Sequence, residues 1–138
     1  MTDYKRVNKT RRNRGYAFEK YITKAFIKKG YNAVRLGSPS TGLPDVLAVN
    51  ENTVIAIECK STMNRKRLYV PEDQILRCYQ FVTMFPKYNM KVLLAFKFGK
   101  DIFIKQFDPS IPIADTRCTH FGEIYQENKK YHLREFSL

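Results

Sequence analysis

Leu43-Pro44-Asp45-Val46-Leu47-Ala48-Val49-Asn50-Glu51-Asn52-Thr53-Val54-Ile55-Ala56-Ile57-Glu58-Cys59-Lys60 is the stretch that decides the fold. Two apolar runs flank the turn-forming triplet Asn50-Glu51-Asn52, so the stretch reads as a hairpin with strands over Asp45–Val49 and Thr53–Lys60. Side chains alternate faces along a strand. Ile55, Ile57 and Cys59 therefore point one way into a core, and Val54, Ala56, Glu58 and Lys60 point the other. Antiparallel pairing places Asp45, at the start of the first strand, close to Glu58, which lies 13 positions further on at the end of the second.

The neighbouring segments extend this hairpin into a domain. Gly15 to Lys29 reads as a helix, because Phe18, Ile22, Ala25 and Phe26 recur at helical spacing and Gly30 follows as a stop. Glu19 lies on the edge of that apolar face. Tyr31 to Leu36 reads as a short strand, and Gly37-Ser38-Pro39-Ser40-Thr41-Gly42 as a hydroxyl-rich loop. Beyond the hairpin, residues 61–67 form a basic loop ending near Leu68-Tyr69-Val70. Pro71 opens a second helix, with Glu72 and Asp73 placed for the helix dipole. It runs to about Phe85, with Ile75, Leu76, Tyr79, Val82 and Phe85 on its apolar face. Lys91 to Phe98 and Ile102 to Phe107 read as two more strands, and a short helix is expected around Thr119 to Gln126. The order α-β-β-β-α-β-β predicts a single α/β domain over residues 1–138, a small mixed central β-sheet flanked by helices. Residues 1–14 carry Lys5, Arg6, Lys9, Arg11, Arg12 and Arg14 and read as a mobile basic arm able to close on a phosphate backbone.

Charge points the same way. Lys and Arg number 25 against 13 Asp and Glu, a net charge of +12. Such an excess attracts polyanions, and nucleic acid is the partner it suits best. A membrane surface is disfavoured because no long basic amphipathic helix is present, and the apolar run Val92 to Phe96 is too short to span a bilayer. The polar, basic N-terminus has no signal-like apolar stretch. Cys59, Cys78 and Cys118 are scattered among apolar neighbours and suit small core residues in a reducing compartment. His120 and His132 stand 12 apart without a third ligand at a suggestive spacing. The expectation is a soluble, cytoplasmic, DNA-associated protein.

Asp45, Glu58 and Lys60 carry the chemistry. A Glu-x-Lys pair at a strand end is by itself a surface ion pair, worth about 0–1 kcal/mol. A second acid brought beside it changes the reading, because two adjacent carboxylates repel unless positive charge sits between them. Mg2+ does this well, taking one or two carboxylates plus waters and substrate phosphate oxygens. Glu19 is the candidate third carboxylate, and the backbone carbonyl of Cys59 is a further candidate ligand, its side chain being structural. Lys60 can orient or deprotonate a water and stabilise charge on a phosphate. Arg65, Lys66 and Arg67 follow the strand and can grip the flanking backbone.

Pro44-Asp45 … Glu58-Cys59-Lys60 resembles the PD-(D/E)-x-K pattern of the restriction-endonuclease-like nucleases. Arg14-Gly15-Tyr16-Ala17-Phe18-Glu19, Gly30-Tyr31-Asn32-Ala33-Val34-Arg35 and Ile57-Glu58-Cys59-Lys60-Ser61-Thr62 make the chain similar to the archaeal Holliday-junction-resolving enzymes over roughly residues 12–107. The resemblance implies a homodimeric, Mg2+-dependent endonuclease, with Mn2+ as substitute, that places paired nicks in opposing strands of four-way DNA junctions. It implies metal-binding roles for Glu19, Asp45 and Glu58, catalysis by Lys60, and phosphate contact by Arg35. The family's loop serine corresponds to Ser38 or Ser40, which flank Pro39 at the simplest equivalent position. The same active site suits other PD-(D/E)-x-K nucleases of restriction, repair or viral type. A non-catalytic junction-binding architectural protein would not need the intact Asp45/Glu58/Lys60 set.

Overall fold

The computed structural model describes residues 4–37 and 42–138. The chain runs α1 (Tyr4–Lys28), β1 (Asn32–Arg35), β2 (Val46–Val49), β3 (Thr53–Thr62), β4 (Arg67–Val70), α2 (Glu72–Val82), β5 (Asn89–Phe98) and β6 (Asp101–Gln106). It ends with β7 (Thr116–Thr119), β8 (Ile124–Gln126), β9 (Lys129–Tyr131) and β10 (Arg134–Glu135). Six strands form the main sheet in the order β1-β2-β3-β5-β6-β10, and four form a second sheet, β4-β7-β8-β9. β2 and β3 pair antiparallel, with Val46 opposite Ile57 and Val49 opposite Val54. β3 and β5 pair in parallel over ten residues each. The expected mixed sheet is therefore present, with β4 and α2 forming the crossover between its parallel strands.

Both faces of the main sheet are covered, which explains why Val54 to Ile57 and Val92 to Phe96 are continuous apolar runs. On one face Phe18, Ile22 and Phe26 of α1 pack on Val46, Ala48, Ile55, Ile57, Leu93 and Ala95. On the other, Ile75, Cys78 and Val82 of α2 join Leu68, Val70, Cys118 and Ile124 of the second sheet over Val54, Ala56 and Leu94. Glu58 and Lys60 thus share a face with buried residues rather than with solvent.

Several expectations are corrected. The helix begins at Tyr4, not Gly15, so the basic segment read as an arm is helical in backbone from Tyr4 onward. Lys and Arg are good helix formers, and Gly15 inside a helix costs only about 1 kcal/mol. The buried stripe of α2 holds Cys78 in place of Leu76, which is exposed. Ile75, Cys78 and Val82 follow the i, i+3, i+7 line of one helix face, and Leu76 lies off it. The helix expected around Thr119 to Gln126 is a β-hairpin. Gly122 turns it at φ +78°, and the period-two burial of Thr116, Cys118, Ile124 and Gln126 against the core holds it as strand. The basic loop is shorter than expected, because β3 continues to Thr62 and β4 begins at Arg67.

Phe26 is fully buried and meets the rings of Tyr31 at 5.4 Å and Phe136 at 5.7 Å. Phe26→Ala is expected to destabilise the fold by about 3–5 kcal/mol, measured by denaturant unfolding at constant m-value.

Candidate active site

Continuing the β2–β3 register by one residue past Val46 and Ile57 sets Asp45 opposite Glu58. Asp45 is fixed there by the Cys59 backbone N–H, which donates to its Oδ2 at 2.8 Å. Glu58 is only 2% exposed. Its two carboxylate oxygens accept from Arg77 Nη2 at 3.0 and 3.2 Å, and the Cys78 thiol lies 3.8 Å from Oε2. Glu19, buried on α1, reaches the cluster from the opposite face of the sheet. Its Oε2 lies 3.4 Å from Arg35 Nη2, yet accepts no well-formed hydrogen bond. Arg35 in turn lies over the Tyr16 ring, 4.8 Å from its centroid.

Proton affinities show the strain of this arrangement. Burial first, and the charge of Asp45 second, push Glu58 up to about 8 from an ordinary 4.5. The same two causes push Glu19 up to about 7. Glu58 holds Arg77 in its charged form, but a single guanidinium does not offset burial and Asp45 together, so Glu58 stays raised. Burial likewise lifts the Cys59 thiol well above its usual range, with Asp45, Glu19 and Glu58 adding to it. Cys59 is therefore a neutral thiol whose backbone serves the site. Lys60 is half-buried on the Glu58 face, and its charge eases the carboxylate. It makes no ion pair among the described residues.

The structure brings together Glu19, Asp45, Glu58 and Cys59, with Lys60 on the same strand. Arg35, expected on a phosphate, faces Glu19. Ser38 and Ser40 lie outside the described residues, as does the side chain of Arg14. Arg65, Lys66 and Arg67 are exposed. Arg65 joins Lys97 and Lys100 on the wall of a cleft of about 730 Å³ that also takes in Phe18 and Ser61, the neighbours of Glu19 and Lys60. Sequence reasoning missed Arg77. The available signal was a single basic residue in α2, adjacent to Cys78 on its buried stripe.

Among the described residues, no three His, Cys, Asp or Glu side chains are gathered closely enough to hold a metal as they stand. Glu58 is turned to Arg77 and Glu19 to Arg35, with Asp45 between them. The donor chemistry nonetheless fits a hard divalent cation. Asp45 faces two glutamates of raised proton affinity, and a buried Glu19 oxygen lacks a hydrogen bond.

A strand acid opposite a second acid, a lysine two residues beyond it and a helical acid, on a mixed sheet between helices, define a restriction-endonuclease-like nuclease fold. Residues 10–121 match the model of the archaeal Holliday junction resolvase (hjc) family, and the chain belongs to that family. It is 31% identical over 120 residues to the crossover junction endodeoxyribonuclease Hje of Sulfolobus acidocaldarius, covering 85% of this chain and 84% of that one. The Hje of Saccharolobus islandicus is 34% identical over 85 residues, 59% of this chain and 62% of its own length. The fold matches the solved structure of Archaeoglobus fulgidus Hjc with a TM-score of 0.59 at 22% identity, over 78% of this chain and 85% of that one. Among the described residues no helix is long and apolar enough to cross a membrane.

A carboxyl group with a raised folded-state value favours folding while it is protonated. That contribution is complete below the ordinary 4.5 and is lost as pH rises through about 7 for Glu19 and about 8 for Glu58. The surface acids Asp108, Asp115 and Glu135 and the half-buried Glu123 are lowered instead, so their opposite contribution lies at more acid pH. In chelator, the melting temperature is expected to fall as pH rises from about 5 to about 8. Asp45→Asn removes the second cause of both raised values while leaving burial, and is expected to make that slope shallower and raise the melting temperature at pH 8. A wild-type curve that is flat across this window would contradict the buried-acid account.

Proposed function

We propose that this protein resolves four-way DNA junctions as a metal-dependent endonuclease, cutting opposing strands in pairs. The observation that carries the reading is the opposition of Asp45 and Glu58 across β2 and β3, with Lys60 on the same strand face as Glu58. Family membership supports the junction substrate.

Glu19, Asp45 and Glu58, with the backbone carbonyl of Cys59, would hold Mg2+, with Mn2+ as a substitute. Such an ion, when bound, supplies Lewis acidity and lowers the pKa of a bound water. The chain's own residues do the rest. The Cys59 N–H holds Asp45 in place, so its carboxylate does not need to be ordered when substrate arrives. Lys60 orients the attacking water and offsets negative charge on the phosphoryl oxygens. Arg35 keeps Glu19 aimed at the cluster. Arg14, Arg65, Lys66 and Arg67 hold flanking phosphates, contacts that position DNA without reading its sequence. Junction selectivity then rests on the shape of the branch and the spacing of its phosphates. Two cuts related by near two-fold symmetry call for two copies of the site, so the working form is a homodimer, acting on DNA in the cytoplasm.

A synthetic four-way junction and linear duplexes of the same sequence, incubated with Mg2+, Mn2+ or chelator, test this reading. Paired nicks in the junction alone, abolished by chelator, are expected. Equal cutting of linear duplex would overturn junction selectivity. Asp45→Asn and Glu58→Gln are expected to slow cutting by at least about a hundredfold while preserving or tightening junction binding, measured by gel shift.

A further inference from the structure

The turn between β7 and β8 holds an apolar ring in solvent. Phe121 is 73% exposed, more than any other large apolar side chain among the described residues. It is not on a loose loop. Thr119 N–H donates to the Glu123 carbonyl at 3.0 Å, and Gly122 N–H to the Thr119 carbonyl at 2.9 Å. The Thr119 hydroxyl accepts from Glu123 N–H at 3.2 Å. Gly122 has φ +78°, and a Cβ there would come within 2.7 Å of the Phe103 ring. Phe103 itself stacks on the fully buried Phe96 at 5.2 Å. The turn is thus seated on the core, while its large apolar side chain, Phe121, is left in solvent.

What lies beside Phe121 is cationic. The backbone N–H of His120 donates to the Lys66 carbonyl at 3.3 Å, and His120 Nδ1 lies 3.3 Å from the same oxygen. The His120 ring meets Phe98 edge-on at 6.3 Å on one side and the Phe121 ring at 3.9 Å on the other. The tip is thereby tied to Arg65-Lys66-Arg67, three exposed cations that make no ion pair among the described residues. That segment follows the strand bearing Glu58 and Lys60. An exposed flat ring beside free cations fits a partner that is anionic along its backbone and aromatic in its side groups. Nucleic acid is both, and rings that stack on bases beside phosphate-binding cations are a general means of holding unpaired strands.

We infer that Phe121, backed by His120, stacks on a nucleobase exposed at the branch point of the DNA, while Arg65, Lys66 and Arg67 hold the adjoining phosphates. This rests on the branched-DNA reading above and adds the residue that recognises the opened base stack. Within a paired duplex every base is stacked on both faces and only the terminal pairs expose one, so the contact contributes at a branch and not along end-capped linear DNA.

The chain contains no Trp, so Phe121→Trp installs a single indole reporter at the tip. Its emission is expected to be quenched on titration with a four-way junction and left unchanged by end-capped linear duplex. Phe121→Ala is expected to weaken junction binding by about tenfold, with duplex binding and the salt dependence unchanged. An unaltered melting temperature would show that the fold is intact. The wild type is measured in parallel. If it prefers junctions and Phe121→Ala binds them equally well with the indole unquenched, the stacking role is overturned and the junction reading stands. If the wild type shows no junction preference, that reading fails and the inference fails with it. Equal quenching by linear duplex overturns recognition of an exposed base. Loss of the dimer in Phe121→Ala by sedimentation, with the indole blind to DNA, assigns the ring to a protein contact and overturns the inference.

Discussion

The antiparallel register of β2 against β3 is the constraint on which this molecule depends. A slip of one residue would turn Val46 and Ala48 away from the α1 core and separate Asp45 from Glu58. The register is held because both faces of the sheet are buried, so the apolar side chains along β2 and β3 are each committed to one core or the other. The same burial makes the paired acids costly. A proton equilibrium displaced tenfold corresponds to about 1.4 kcal/mol, and both glutamates flanking Asp45 are displaced by more than that. Packing that secures the fold therefore also secures a site that is electrostatically uncomfortable when nothing positive occupies it.

The arginines answer this discomfort from two directions. Arg35 approaches Glu19 from β1, and Arg77 approaches Glu58 from α2. Neither forms an ion pair with Asp45, whose Oδ2 is held by the Cys59 N–H instead. Asp45 is thus the acid positioned by backbone, and the two glutamates are the acids positioned by side chains that can move. A site of this kind can redistribute charge around a fixed carboxylate without disturbing the sheet that carries it.

Local pattern made the centre of the structure legible, and long-range packing accounts for what it did not show. The hairpin, the facing of Asp45 and Glu58 and the placement of Glu19 beside a buried stripe all follow from periodicities of two and 3.6 within short segments. The second sheet did not, because β4 pairs with β7 across almost fifty intervening residues, and no local signal specifies such a partner. Thr116 to Gln126 was ambiguous for the same reason, since its strands exist by packing on the core already formed by α2 and β5. Arg77 escaped notice because its significance lies in its ion pair with Glu58, 19 residues back along the chain. The N-terminal extension of α1 was obscured because residues 4–14 are mostly basic and carry few apolar residues at helical spacing. Ser38 and Ser40, by contrast, remain expectations drawn from resemblance alone.

Charge economy sets the final link between fold and function. The chain has only 13 acidic residues against 25 basic ones, yet three of the acids converge at one end of the main sheet. In a protein whose excess charge draws in phosphate, a concentrated negative point opposes binding at the very place where the strand must approach. If this were a surface selected for affinity alone, Asp45, Glu58 and Glu19 would each weaken it, and burying them would add a further penalty in stability. Such an arrangement is intelligible when the acids serve a bond-breaking step and the surrounding cations, on the cleft wall and on the loop at residues 63–66, supply the affinity. A buried acidic sheet end beside an exposed basic rim is what the structure adds to the motif.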